Sequence, residues 1–502
     1  MQPPSSINSH PLRPALTSVS ILIFVTPMLA YIACALMRLG TPVELEWMEG
    51  GSLQMLLQIL SDKPLYGPPG VDFVPYTYTP LYFYVSALLS GIFGANLFTL
   101  RLVSFTASLA SFIFLYLIVR RETRSVLAGA AAVGLFAGSY AVNGNWFDVA
   151  RIDSLCMSLA LAAMWLGLGE PRARSLMLGG ALIALSFFTK QVALVVSGQL
   201  LCAVVASHGR KGLLFVSSAI LTLLIGTLYL QSTSDGWFLF YALESPRTRW
   251  QSNLSLYHLA RAALLEFLPI FMIPLAISIP LVCNLIRRPS RKGLSLLLSI
   301  GGLFLAAAWG RVESLNFLNS SIPAHLGVAI LFGLTVGDFL GDGSKRLGLL
   351  TILVAFALQI LFFATMLGPI IPSKQELSNY TAYSSRITSL AKPVYLPDQG
   401  YVSILGSDSS FAHSIGIMDL MMGGSAEVIG PFRREMEEAL NAQRFGTIVC
   451  DTPLFLRWFQ EPLERNYQLV ATTSDNVPWT PVLGFRNQPT VFVRRGRAAP
   501  AS

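Results

Sequence analysis

The sequence is poor in charge. Only 12% of its 502 residues are Asp, Glu, Lys or Arg, against 53% hydrophobic. With a mean hydropathy of +0.58, this excludes an ordinary water-soluble protein. It lacks a disulfide framework: Cys34, Cys156, Cys202, Cys283 and Cys450 form no CxxC, four of them lie in apolar segments, and the fifth is isolated. The five histidines are scattered, so no His-based metal site is visible. A carboxylate-bound Mg²⁺ or Mn²⁺ is left open. A Gly-rich phosphate loop is missing, which argues against ATP-driven transport. Internal repeats are missing too. The net charge of +8 is not a nucleic-acid signature, because the basic residues sit in short loops between apolar runs.

What is present is a series of apolar runs, each long enough to approach the ~20 residues that span a bilayer core. They cover roughly 19–38, 101–119, 126–140, 153–168, 176–189, 191–206, 213–230, 262–286, 294–309, 322–340 and 347–368. Residues 1–18 read as a disordered cytoplasmic leader to an uncleaved first span. Alternate connectors are basic (Arg120, Arg121 and Arg124; Arg172 and Arg174; Arg210 and Lys211; Arg287, Arg288, Arg291 and Lys292; Lys345 and Arg346). Cytoplasmic loops carry the excess of Lys and Arg, so these lie inside. All can do so only if the apolar stretch 75–94 is re-entrant or interfacial. The predicted fold is a mainly α polytopic membrane protein of about eleven transmembrane helices. Residues 19–370 form the membrane domain, and 39–98 its first outer loop with juxtamembrane helices.

Beyond residue 373 the chain turns polar. Strand-like runs at 394–396, 402–405, 447–450, 468–471 and 490–493 alternate with helix-like runs at 411–422 and 432–443. This predicts a small α/β domain over 373–502 on the extracytoplasmic face.

The polar residues expected at the outer face are few. Glu44-Leu45-Glu46-Trp47-Met48-Glu49 carries three carboxylates just after the first span. Glu46 and Glu49 are i,i+3 and share a face if the segment is helical. Transfer of a sugar to a hydroxyl or amine needs a base for the acceptor's proton and cations for the departing phosphate. The alternative is that the acids are solvated or favour a helix N-terminus. Arg151 and Asp153 open the next long span, as a structural ion pair or as part of a pocket. Lys190 sits alone between two short apolar runs, a costly place without an anionic partner, and a lipid phosphate fits it. Arg247 and Arg249 occupy an aromatic-flanked outer loop, where they can bind phosphate or anchor the loop at the interface.

The order of these features resembles the glycosyltransferase C superfamily, in the branch of protein O-mannosyltransferases, aminoarabinose lipid A transferases and lipopolysaccharide-core transferases. The matching motifs are Glu46-Trp47-Met48-Glu49, the helix over 52–60, Thr79-Pro80-Leu81-Tyr82, Arg101 at a helix start, Arg151-Ile152-Asp153 and Thr189-Lys190-Gln191. The resemblance is good over about 20–210. It implies an integral-membrane enzyme of a bacterial inner membrane, performing inverting transfer of a hexosyl or pentosyl unit. The donor is a polyprenyl-phosphate sugar and the acceptor a cell-envelope glycan, lipid or protein. The active site faces the extracytoplasmic side. Members often carry Asp or Asp-Glu where this chain has Glu46-Trp47, so the general base is Glu46 or Glu49, with Glu46 the better match. Lys190, Arg247 and Arg249 become donor-phosphate ligands, and Arg151, Asp153 and Tyr82 pocket residues. The rival class is a transporter or flippase of a lipid-linked sugar, which needs matching broken helices in two halves. No such pairing is visible.

Overall fold

A computed structural model describes residues 12–247, 257, 260–261, 265, 268–312, 317–341, 345–368, 370–406, 411–450, 453–472 and 490–495. The N-terminal part is helical throughout: α1 (Leu12–Leu39), α2 (Glu49–Leu60), α3 (Leu81–Phe93), α4 (Leu97–Thr123), α5 (Val126–Gly138), α6 (Asp153–Gly167), α7 (Ala173–Phe187), α8 (Ala193–His208), α9 (Leu213–Thr233), α10 (Met272–Arg287), α11 (Arg291–Val312), α12 (Ile322–Gly341) and α13 (Lys345–Ala364). Local chemistry sets several of the boundaries. The Asn96 side chain accepts from Thr99 N at 3.0 Å to start α4, and Arg124 ends it in the left-handed region. Ser125 caps α5. Helix α2 begins at Glu49, three residues before the expected 52, because an acid is favoured in the first turn.

The chain is a multi-pass integral membrane protein. The helical stretches Thr17–Leu39, Leu97–Thr123, Ala193–Thr233, Arg291–Arg311 and Leu318–Leu340 are long and apolar enough to cross a bilayer. The third is broken at Gly209 (φ +55°) into α8 and α9. Helices α5, α6, α7 and α10 have 13–16 residues. That is about 20–24 Å of helix, short of a ~30 Å hydrocarbon core. Helix α3, with 13 residues, is no shorter than α5. Length alone therefore does not separate the expected interfacial helix from the expected spans. Buried irregular backbone at 139–152 and 188–192 continues the short helices, which is tolerated at membrane depth where protein encloses it.

Close approach is built on small residues. A Cβ on Gly134 of α5 would lie 2.0 Å from Phe24 O of α1, and one on Gly180 of α7 would lie 2.2 Å from Phe215 O of α9. Helix α4 packs between α5 and α6, and α8 packs along α11.

The C-terminal part contains α14 (Lys374–Thr388), β1 (Val394–Tyr395), α15 (Gly400–Gly406), α16 (Ser414–Gly423), α17 (Ala426–Asn441), β2 (Thr447–Cys450), α18 (Pro453–Asn466), β3 (Tyr467–Thr472) and β4 (Thr490–Arg494). The sheet order is β1-β2-β4-β3, with β1 parallel to β2 and the other pairs antiparallel. The expected strand at 402–405 is instead helix α15. Short apolar runs do not distinguish the two periods, and here the helix buries Val402 and turns Leu405 outward.

This α/β unit is seated on the loop that follows α1. Ala412 N donates to Val71 O at 2.9 Å, Gln54 Nε2 donates to Phe411 O at 3.1 Å, and Arg444 pairs with Asp72 at 2.6 Å. A Cβ on Gly50 would lie 2.3 Å from Tyr401 N, so α2 and α15 touch through backbone. The buried apolar residues of the α/β unit are continuous with those of the helices.

Candidate active site

The loop between α1 and α2 folds inward. Glu44, Glu46 and Glu49 are all buried, at 0–1% exposure, so they are not solvated loop acids. Each has a different environment. Glu49 is a hub. Its Oε1 accepts from Arg101 Nε at 2.8 Å and Ala150 N at 2.8 Å, and its Oε2 from Arg101 Nη2 at 2.5 Å and Leu45 N at 2.6 Å. Burial alone would raise its carboxyl. The Arg101 charge and hydrogen bonds, with the two amides, outweigh this and hold it below the usual carboxylate range. Arg101 also donates to the carbonyls of Thr41 at 2.6 Å and Val43 at 2.5 Å. The pair ties α2 and α4 to the end of α1.

Glu46 is arranged otherwise. Its Oε2 accepts from Met48 N at 3.0 Å, and its Oε1 lies 3.6 Å from Arg151 Nη1 with no hydrogen-bond donor. Burial pushes this carboxyl up to about 8, against the pull of Arg151, with Glu49 adding to the rise. A group poised near neutrality suits proton transfer. Glu44 accepts from Tyr401 N at 3.2 Å, and burial raises it well above the usual range.

Beside this loop is a cavity of about 130 Å³. Its wall is drawn from distant parts of the chain: Trp47 and Met48, Thr77 and Tyr78, Arg151 and Asp153, Lys190 and Gln191, Trp309 near the end of α11, Asn319, and Met418 and Asp419 of α16. Lys190 Nζ donates to Asp153 Oδ1 at 2.6 Å, and Asn319 Nδ2 reaches the same oxygen at 3.1 Å. Arg151 Nε is 4.0 Å from Asp153, and its Nη2 donates to Tyr78 OH at 2.9 Å. The guanidinium also stacks over Tyr78 and Trp146 and touches the Met48 sulfur. Two cations thus border the cavity, oriented by one carboxylate between them. The chain turn carrying Lys190 is fixed by Gln191 Nε2, which donates to Thr77 O at 2.7 Å and Ala242 O at 3.0 Å.

The structure brings Arg151, Asp153 and Lys190 together on this wall and sets Glu46 directly behind Arg151. It does not bring the other expected residues there. Glu49 is enclosed by Arg101. Tyr82 lies between α3 and α4, donating to Leu100 O at 2.7 Å and touching Ser104, so it packs helices and does not line the pocket. Arg247 is exposed and is not on the wall, although its neighbour Pro246 is. Arg249 lies outside the described residues. Asp419 escaped the sequence reading. It is 5% exposed and accepts from Thr77 Oγ1 at 2.8 Å. The available signal was a lone carboxylate inside the apolar run 411–422, where a buried acid needs a partner.

The dolichyl-phosphate-mannose-protein mannosyltransferase family matches residues 75–235. The crystal structure of ArnT from Cupriavidus metallidurans bound to undecaprenyl phosphate superposes with a TM-score of 0.59 at 14% identity, covering 95% of this chain and 100% of that one. This likeness shows a shared fold. The apo oligosaccharyltransferase of Archaeoglobus fulgidus shares the fold with a TM-score of 0.55 at 11% identity, covering 90% of this chain and 71% of that one. No curated protein sequence matches the chain. The family match spans Thr77, Tyr78, Arg151, Asp153 and Lys190 of the cavity wall but ends before α16 and Asp419.

Proposed function

We propose that the chain transfers a sugar from a polyprenyl-phosphate donor to a cell-envelope acceptor, with inversion, at the extracytoplasmic face of a bacterial inner membrane. The observation that carries this reading is the cavity wall itself: Arg151 and Lys190, oriented by Asp153, stand in front of a buried Glu46 whose Oε1 has no donor. The glycosyltransferase C fold, shared with a protein that binds undecaprenyl phosphate, supports the donor class.

The donor phosphate sits against Lys190 and Arg151. An acceptor oxygen or nitrogen attacks the anomeric carbon, and the bond from that carbon to the phosphate oxygen breaks with its electron pair on the phosphate. The two cations stabilise that developing charge. The acceptor proton passes to Glu46. Arg151 moving onto the phosphate uncovers Glu46 Oε1, which Arg151 Nη1 now approaches to 3.6 Å. Glu49 is the orienting partner: through Arg101 it fixes the loop that carries Glu46. Arg247 and Arg249, which follow Pro246 in the sequence, contribute to donor binding. The α/β unit over 373–502 supplies the acceptor side through Asp419.

The test is radiolabelled transfer from a panel of polyprenyl-phosphate sugars to an envelope extract by purified protein in liposomes. Wild type moves label and Glu46→Gln, folded as wild type, does not. Full activity in both Glu46→Gln and Glu49→Gln would sink the assignment.

A further inference from the structure

The helices that frame the cavity at one end enclose a second cavity at the other. Helix α4 carries Arg101 near its start and Arg121 near its end. Helix α6 starts at Asp153 and ends beside Glu170, α8 follows Lys190 and ends at His208, and α11 runs from Arg291 to the cavity residue Trp309. With 27 residues, α4 spans about 40 Å, so the second cavity opens on the opposite membrane face. Its walls come from the basic connectors that charge asymmetry assigns to the cytoplasm.

The charges there do not cancel. Glu122 is shared: it accepts from Arg121 Nε at 3.0 Å and pairs with Lys292 Nζ at 2.8 Å. One carboxylate thus meets two cations. Glu170 is matched by Arg172 at 2.6 Å, and Arg291 adds a further positive charge at an exposed position. With Glu170 offset by Arg172, which does not itself line the cavity, the wall is left with a surplus of about two positive charges at the headgroup level of the membrane. The Arg121 guanidinium is held in place: Nη1 donates to Trp165 O at 2.5 Å, and Gly169 leaves room for it, since a Cβ there would lie 3.1 Å from Nη1. Its Nη2 is buried without a hydrogen-bond partner. Leu168 and Leu296 give the same cavity an apolar side. A fixed guanidinium with an unused donor, two further cations and an apolar flank match a phosphate ester with acyl chains attached.

We propose that this cytoplasmic cavity, between the ends of α4, α6 and α8 and the start of α11, binds the phosphate headgroup of an anionic phospholipid. The site stands apart from the proposed transfer chemistry and does not depend on it.

The test uses delipidated full-length protein in detergent, titrated with cardiolipin, phosphatidylglycerol, phosphatidylcholine and inorganic phosphate, with bound lipid counted by native mass spectrometry. The two anionic lipids bind, and phosphatidylcholine binds at least tenfold more weakly. Each basic residue contributes about fivefold, so Arg291→Gln with Lys292→Gln weakens anionic-lipid binding about 25-fold. Glu170→Gln, which frees Arg172, strengthens it. Unfolding of the double variant is controlled by Arg291→Gln alone, which removes no ion pair among the described residues and still costs about fivefold. Equal retention of phosphatidylcholine, or wild-type affinity in Arg291→Gln, overturns the site. Inorganic phosphate binding more tightly than either anionic lipid overturns the lipid as its source.

Discussion

Replacing Arg101 of α4 by Met should cost more stability than any single change in the first loop. Both partners of the Arg101–Glu49 pair are at 0% exposure. Removing one charge of such a pair leaves the other buried and uncompensated, at a cost of about 3–5 kcal/mol. The loss falls at the upper end because the carbonyls of Thr41 and Val43 also lose their donor. Glu49→Gln keeps two amide donors from Leu45 and Ala150 and falls at the lower end. The double variant removes both charges together, so it costs less than the sum of the singles by about 2 kcal/mol or more. Chemical unfolding in detergent, followed by tryptophan fluorescence, measures all three. The Glu49 carboxyl is depressed in the folded state, so its contribution is full above the ordinary carboxylate pKa and is lost as pH falls through its folded value. Singles within about 1 kcal/mol of wild type, or strict additivity, would refute the hub role of Glu49.

Other outcomes follow from the same geometry. Lys190→Met removes the cation 2.6 Å from Asp153 and lowers kcat/KM for the polyprenyl donor by about 10²-fold. Donor titration measures it, and a change below about threefold would contradict the phosphate role. Gly50→Ala puts a Cβ 2.3 Å from Tyr401 N and costs about 1–3 kcal/mol by prising α2 from α15, read as a lower unfolding midpoint. The pH profile of kcat/KM rises with an apparent pKa near 8, as burial of Glu46 requires. The raised Glu46 carboxyl contributes stability that is full below the ordinary carboxylate pKa and fades as pH climbs to about 8. A rising limb below pH 5 would rule out Glu46 as the titrating base.

Much of the membrane part is legible in the sequence because an apolar run has few alternatives to a helix in lipid. The expected runs 126–140, 213–230 and 322–340 correspond to α5, α9 and α12 within a few residues. Arg151, Asp153 and Lys190 are legible for a related reason. In a chain so poor in charge, ions at helix ends must find one another, and these do. The division of labour between Glu46 and Glu49 is not legible. Their spacing is symmetrical, and the difference lies in Arg101, 52 residues beyond Glu49. Tyr82 is misplaced by motif reading, since its hydroxyl serves the backbone of α4. Asp419 is invisible because its partner Thr77 is 342 residues away. In the α/β part, 402–405 shows that four apolar-rich residues do not fix a period. The strands at 447–450 and 490–493 succeed because their β-branched runs pair in register as β2 and β4.

The most direct test of the account is label transfer from a polyprenyl-phosphate sugar by wild type and Glu46→Gln in liposomes, with unfolding midpoints measured on the same preparations. The account predicts loss of transfer in Glu46→Gln at an unchanged midpoint, and loss of both transfer and stability in Glu49→Gln. Transfer by Glu46→Gln at the wild-type rate, with Glu49→Gln stable and inactive, would contradict it and move the base to Glu49.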